Sequence, residues 1–128
     1  MTLVIDANVA LAACTVDDGF GRYDEPLIAP PLLWSEARSS LHVGVWRGLL
    51  SGELARESHE ILERAPIRST SHRDLGQEAW RIADRVGWAR TYAAEYIALA
   101  VLTDSALLTL DRGMQSAARL IGIDLRPA

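Results

Sequence analysis

The chain has 128 residues, 49% of them hydrophobic, which is the length and apolar content of one compact domain with a single buried core. Its formal net charge of −4, with 17 acids against 13 arginines and no lysine, excludes indiscriminate nucleic-acid binding through bulk basicity, but not a nuclease that works through cations. The most apolar uncharged stretch, Tyr96 to Thr103, is too short to cross a bilayer and no charged-then-apolar signal stands at the N-terminus, so a cytoplasmic protein without a membrane segment is expected.

In chain order, Thr2 to Ile5 is a β-branched, apolar run that ends at Asp6, and Ala7 to Ala13 reads as a helix. Cys14, the only cysteine, has no partner for a disulfide and no company for a thiolate metal site, and is expected to be a small core residue. A turn-rich stretch from Asp17 to Glu25 leads to a second strand, Leu27 to Ala29. Pro30 and Pro31 suit the first positions of a helix that runs to about Gly48. Ser51 caps a further helix through Arg64, which Pro66 ends, and the two helices should form a hairpin.

Ile67 to Thr70 is a third candidate strand. A helix from about Leu75 to Val86 stops at Gly87, and the next, Thr91 to Thr103, is apolar nearly all round and so should be buried on more than one side. Ala106 to Leu110 reads as a strand, Asp111 opens a helix to Leu120, and Ile123 to Leu125 is a candidate last edge strand. Short apolar strands alternating with helices predict an α/β fold with a parallel sheet covered on both faces.

The C-terminal ends of parallel strands lie at one edge of the sheet, where the crevice between flanking helices is the usual ligand site. Two strands end in aspartate, Asp6 and Asp111. Each can simply cap the following helix, but together they suggest a shared site. Glu36, in the second turn of its helix, falls at the margin of the apolar arc rather than on the Ser35, Arg38, His42 face, and an acid there points toward the same edge. Three converging carboxylates repel one another unless a cation sits among them. Hard divalent ions such as Mg²⁺ or Mn²⁺ take oxygen ligands, keep several waters, and can activate one of them against phosphorus. His42, His59 and His72 have no zinc-cage spacing and are expected at the surface.

These segments resemble a known family. The opening LVIDANV is similar to the first acid motif of PIN-domain proteins, PPLLWSEARSSL resembles the second with Glu36 in the acid position, TYAAEYIALA resembles the Tyr-Asp-Ala-x-Tyr-x-Ala-Leu-Ala helix, and LLTLDRGM resembles the Thr-x-Asp motif. Four such segments in order, spread over almost the whole chain, look like a VapC-type toxin ribonuclease of a toxin–antitoxin pair. The resemblance implies residues 1–128 as one PIN-like domain, three layers (α/β/α) around a central parallel sheet of four to five short strands. It also implies a Mg²⁺- or Mn²⁺-dependent endoribonuclease acting on RNA, held inactive by a VapB-like antitoxin and commonly homodimeric. Asp6, Glu36 and Asp111 match metal-site acids, and Thr109 matches the hydroxyl residue before the last acid.

One position departs from the pattern. Ala93 stands where the family's third acid is expected, and it cannot bind a cation. Glu95 is the only charged residue between Thr91 and Thr103, but two residues turn a helix through about 200°, toward the opposite side from position 93. Glu95 is therefore a substitute ligand, an acid favoured near the helix N-terminus, or a group facing a partner. The alternative to an active nuclease is a degenerate PIN domain that binds RNA or antitoxin without cutting. Arg112, after the last acid, and Arg90, before the third segment, are candidates for RNA phosphate, against the commoner solvated arginine near a helix end. Trp34, Trp46, Trp80 and Trp88 are expected in the core or a dimer interface rather than as base-stacking platforms, because no basic groove interleaves them. Other acid-centred α/β readings fit less well: a phosphoryl-transfer hydrolase would want a second aspartate where Asn8 stands, and a receiver module would want a lysine.

Overall fold

The computed structural model describes residues 1–127. Its elements are β1 (Leu3–Ile5), α1 (Ala7–Cys14), β2 (Leu27–Ala29), α2 (Leu32–Trp46), α3 (Gly52–Glu63), β3 (Ile67–Ser69), α4 (Leu75–Val86), α5 (Tyr92–Thr103), β4 (Ala106–Leu108) and α6 (Arg112–Ile121). The strands form one parallel sheet in the order β3-β2-β1-β4. Every residue of β1, β2 and β4 is buried. Successive side chains of a strand point to opposite faces, so both faces of these strands are covered, which is why they read as unbroken apolar runs. At the open edge, β3 buries only Ile67 and exposes Arg68 and Ser69.

Helix α5 packs on β1 and β4 and is packed in turn by α4, while α1, α2 and α3 pack on one another. Six consecutive-to-near-consecutive residues of α5 are buried, Ala94 and Tyr96 to Ala100, as its all-round apolar sequence requires. Three helices open on side-chain caps: Asp6 accepts from Val9 N, Ser51 from Leu54 N, and Asp111 from Gly113 N and Met114 N. Each such cap contributes about 1 kcal/mol by satisfying an otherwise orphaned N–H. Gly87 ends α4 in the left-handed region (φ 79°), the conformation in which glycine carries no Cβ penalty. Cys14 is buried in the core, where burial pushes its thiol up to about 11. Among the described residues, no helix is long and apolar enough to cross a membrane.

The structure shortens several expected elements. β4 stops at Leu108, because Thr109 turns its hydroxyl to Asp6 and to the Asp111 amide, and Leu110 is exposed. The stretch Ile123 to Leu125 contributes a single parallel bridge, Leu125 to Leu107, rather than a strand. Its ladder consists of Leu107 N donating to Asp124 O at 2.9 Å and Arg126 N donating to Leu107 O at 2.9 Å. Pro31 is the cap of α2 rather than its first residue, and Thr91 stands just outside α5. Trp46 and Trp80 are exposed, whereas Trp34 and Trp88 pack partly buried against the core.

Candidate active site

Asp6 is the first residue past β1, in extended conformation (φ −98°, ψ 176°), and is only 4% exposed. Both of its oxygens are used: Oδ1 accepts from Val9 N at 3.0 Å, and Oδ2 accepts from the Thr109 hydroxyl at 2.5 Å. Burial raises its pKa above 3.8; the bonds from Thr109 and Val9 oppose that rise, and the nearby Asp111 carboxylate adds to it. Thr109 is itself buried and accepts from Asp111 N at 3.1 Å. Its one hydroxyl hydrogen goes to Asp6 rather than to the Met114 sulfur, 3.7 Å away, because a charged oxygen is much the stronger acceptor. Asp111 is exposed, and only its Oδ1 is taken up by the α6 cap, at 2.7 Å from Gly113 N and 3.3 Å from Met114 N. The capping role and the shared corner therefore coexist at both aspartates.

On α2, Glu36 is half-buried, and its Oε1 accepts from the hydroxyl of Tyr96, the side chain that also feels the Asp6 charge, at 2.5 Å. Tyr96 is 2% exposed, and burial, the Glu36 hydrogen bond and the charges of Glu36, Asp6 and Glu95 all push its pKa far up, so the phenol remains a donor. Glu95 is half-buried, with its pKa raised by burial and then by the Glu36 charge. The structure thus brings Glu95 beside Glu36. The stripe of α5 that meets the site carries Tyr96, bonded to Glu36, and Tyr92, which lines a groove with Glu36. Positions 93 and 95 flank that stripe on its two sides, so the 200° between them does not take Glu95 away from the site.

Sequence reasoning does not single out Tyr96. Its signal is that of a hydroxyl on an aliphatic helix, since a buried tyrosine oxygen needs a partner and an acid is the best one available. Ala93 is half-buried and contributes no ligand. Arg90 and Arg112 are exposed, and among the described residues neither pairs with a carboxylate. The histidines lie outside the cluster: His42 is exposed, His59 accepts from Arg38, and His72 accepts from Asp74 N.

Asp6, Glu36, Glu95 and Asp111 have no salt-bridge partner among the described residues. No group of three or more His, Cys, Asp or Glu side chains among those residues forms a metal cage. The carboxylates interact instead in two pairs, Asp6 with Asp111 and Glu36 with Glu95, with Tyr96 feeling Asp6, Glu36 and Glu95. An all-oxygen donor set of this kind fits Mg²⁺ or Mn²⁺, which bind through one or two carboxylates and fill the remaining positions with water or a phosphate oxygen. A groove of about 590 Å³ runs from Glu36 and Tyr92 along α2 to Val43 and Leu49.

The sequence matches no family model and no curated protein. Its fold is similar to that of PAE2754 from Pyrobaculum aerophilum, with a TM-score of 0.78 and 20% identity over 93% of this chain and 86% of that one. It is also similar to VapBC2 from Rickettsia felis bound to a DNA fragment from their promoter, with a TM-score of 0.71 and 9% identity over 98% of each chain. FitAcB from Neisseria gonorrhoeae gives 0.66 and 17% identity over 98% and 96%. At these identities the likeness is one of fold: a four-stranded parallel sheet with six helices, consistent with a PIN-like architecture.

Proposed function

We propose that this chain is a Mg²⁺- or Mn²⁺-dependent endoribonuclease of the VapC type, neutralised by a VapB-like antitoxin. The observation that carries the reading is the corner at the ends of β1 and β4, where Asp6, Thr109 and Asp111 are tied by hydrogen bonds and Tyr96, which holds Glu36 and feels the charges of Asp6 and Glu95, links them to the second pair of acids. Four carboxylates without a basic partner are costly to gather, and divalent cations offset that cost. The motif resemblance and the fold likeness to VapBC2 support the same reading, as does the full burial of β1, β2 and β4, which suits three layers.

Asp6, Asp111 and Glu36 would hold the ion, with Glu95 adding the charge that position 93 lacks. Mg²⁺ or Mn²⁺ bound there would supply an activated water and offset the charge of the phosphate. Thr109 fixes one Asp6 oxygen, and Tyr96 occupies Glu36 Oε1, which leaves Oε2 directed by the same bond. Exposed Arg112, next to Asp111, and exposed Arg90 are the candidates to meet RNA phosphates. The groove leading from Glu36 to Val43 and Leu49 offers an apolar seat for an amphipathic antitoxin segment, and exposed Trp46 and Trp80 suit a homodimer interface.

RNA cleavage in Mn²⁺ that is abolished by EDTA and by Asp6→Asn is the expected result. A specific observation favours a second reading: among the described residues no three acids form a cage and position 93 is alanine, as in a degenerate domain that binds RNA or antitoxin without cutting. Calorimetric Mn²⁺ binding separates the two. Binding by wild type that Asp6→Asn abolishes and Glu95→Gln weakens supports the nuclease, whereas binding seen only after Ala93→Asp supports the remnant.

A further inference from the structure

The sheet face that carries Asp6 and Thr109 also bears, over β2 and β3, a pocket of about 410 Å³ with no acid in its lining. It holds Arg68 together with the hydroxyl residues Thr2, Ser69, Thr70, Ser71 and Ser105, and the end of α5 walls one side. In a chain of net charge −4, Arg68 is exposed and has no carboxylate partner among the described residues. Thr70 Oγ1 donates to the Arg68 carbonyl at 3.0 Å and Ser105 Oγ bonds Thr103 Oγ1 at 2.8 Å, which leaves the hydroxyls of Thr2 and Ser71 for a ligand.

The strand register places this pocket relative to the acids. Val4, Ile28 and Arg68 lie at one level of the ladder, so Arg68 stands two strands, about 10 Å, from β1. Asp6 is two residues, about 7 Å, further along β1 and on the same face by the period of two. Thr70 continues the β3 ladder, donating to Ala29 O at 2.9 Å, and so stands level with Asp6. The backbone-to-backbone diagonal from Arg68 to Asp6 is about 12 Å.

We propose that Arg68 and the surrounding hydroxyls form a subsite for a backbone phosphodiester of the RNA strand, apart from the carboxylate corner. The RNA substrate rests on the nuclease reading above; the anion chemistry rests on the pocket itself. An unpaired guanidinium with flanking hydroxyl donors is the donor set that phosphate oxygens require. Guarding the β3 edge against pairing would need only a charge. It would not need the acid-free recess, nor Thr2 and Ser105, which belong to the entries of β1 and β4.

The test is fluorescence anisotropy with a short single-stranded oligouridylate in EDTA, at several salt concentrations, on wild type, Arg68→Ala and Arg68→Lys. Cleavage by the same preparations is followed separately in Mn²⁺. Arg68→Ala is expected to weaken binding about tenfold at low salt and to lower the magnitude of the log–log salt slope by about 0.7, the contribution of one phosphate contact on a single strand, while Arg68→Lys keeps the slope. An unchanged slope in Arg68→Ala overturns the subsite even if wild type cleaves RNA, in which case the nuclease reading stands alone. A lost slope contribution in a protein that binds but never cleaves keeps the subsite and overturns the nuclease. Calorimetry with uridine monophosphate distinguishes a free phosphate monoester as the ligand: tight binding that depends on Arg68, without any effect on the oligouridylate slope, also overturns the proposal. So does a wild type that binds no RNA.

Discussion

Asp6 and Asp111 stand at strand ends, where each caps the helix that follows, so the backbone that places the carboxylate is the backbone the carboxylate stabilises. Glu36 and Glu95 stand on the flanks of two helices far apart in sequence and meet only through tertiary packing, with Tyr96 as the link. The first pair is local and rigid; the second depends on how α2 and α5 are set. Function and stability pull in different directions in both halves, but only the first has compensation built in. A cap is stabilising whatever the site does, whereas an acid buried beside another acid, Asp6 beside Asp111 as well as Glu95 near Glu36, destabilises the fold until a cation arrives.

The sharpest way to break the comparison is Asp6→Asn. Asparagine caps a helix as well as aspartate does, so the α1 start should survive. RNA cleavage should nevertheless fall by more than about a hundredfold, since even changes in the groups that support metal ligands cost about 10–100-fold. Circular dichroism together with a cleavage assay checks this; a parallel loss of folding would mean that Asp6 is chiefly structural. Tyr96→Phe tests the other half. It removes the donor to Glu36 without changing the shape of the core, and cleavage should drop about 10–100-fold with Mn²⁺ affinity reduced in the same sense. If only the melting temperature moves, Tyr96 is a packing residue.

Thr109→Val sits between these two in effect. It leaves the part-buried Asp111 amide without its acceptor and the buried Asp6 Oδ2 without its donor. Loss of about 1–3 kcal/mol is expected, read from urea unfolding. A smaller effect comes from pH. The raised pKa of Asp6 means that the folded protein holds a proton which the unfolded chain releases, so its contribution to stability is complete below pH 3.8 and is lost as pH rises through the raised folded value. In EDTA, the melting temperature of wild type minus that of Asp6→Asn should therefore fall from below pH 3.8 toward neutrality, by about 3–5 °C for each kcal/mol. A difference that does not vary with pH would show that the burial of Asp6 is already compensated by its hydrogen bonds.

The same contrast explains what the sequence made legible. Strand ends and caps are local, so Asp6 and Asp111 could be read from apolar runs that stop at an acid, and the boundaries of α3 and α4 followed from Ser51 and Gly87. Glu36 was legible from its place at the margin of an amphipathic arc. The position of Glu95 was not, because a helical wheel gives the angle between residues 93 and 95 but not which stripe of α5 faces the site. That stripe is fixed by the long-range bond between Tyr96 and Glu36. The end of β4 was misread for a related reason: Thr109 continues the β-branched and apolar pattern, yet its hydroxyl is drawn to Asp6 and Asp111. The β4 edge likewise looked like a full strand at Ile123 to Leu125, where the ladder closes with one bridge.

The smallest and most discriminating prediction concerns the flanks of that stripe. Glu95 is only half-buried and makes no hydrogen bond of its own to Glu36; what it contributes is charge. Charge acts over several ångströms and is partly screened by solvent, so Glu95→Gln should weaken Mn²⁺ binding by about tenfold or less, below the effect of losing a directly placed ligand. Ala93→Asp in the Glu95→Gln background should then restore the lost affinity from the other side of the Tyr92–Tyr96 stripe, because the ion responds to the sum of nearby carboxylates more than to which flank carries them. Calorimetry on the four combinations of these substitutions gives the coupling directly. If the two acids restore one another, Glu95 occupies the role that Ala93 vacates. If Ala93→Asp strengthens binding equally whether or not Glu95 is present, the two flanks are independent, and Glu95 serves the helix N-terminus or a partner instead.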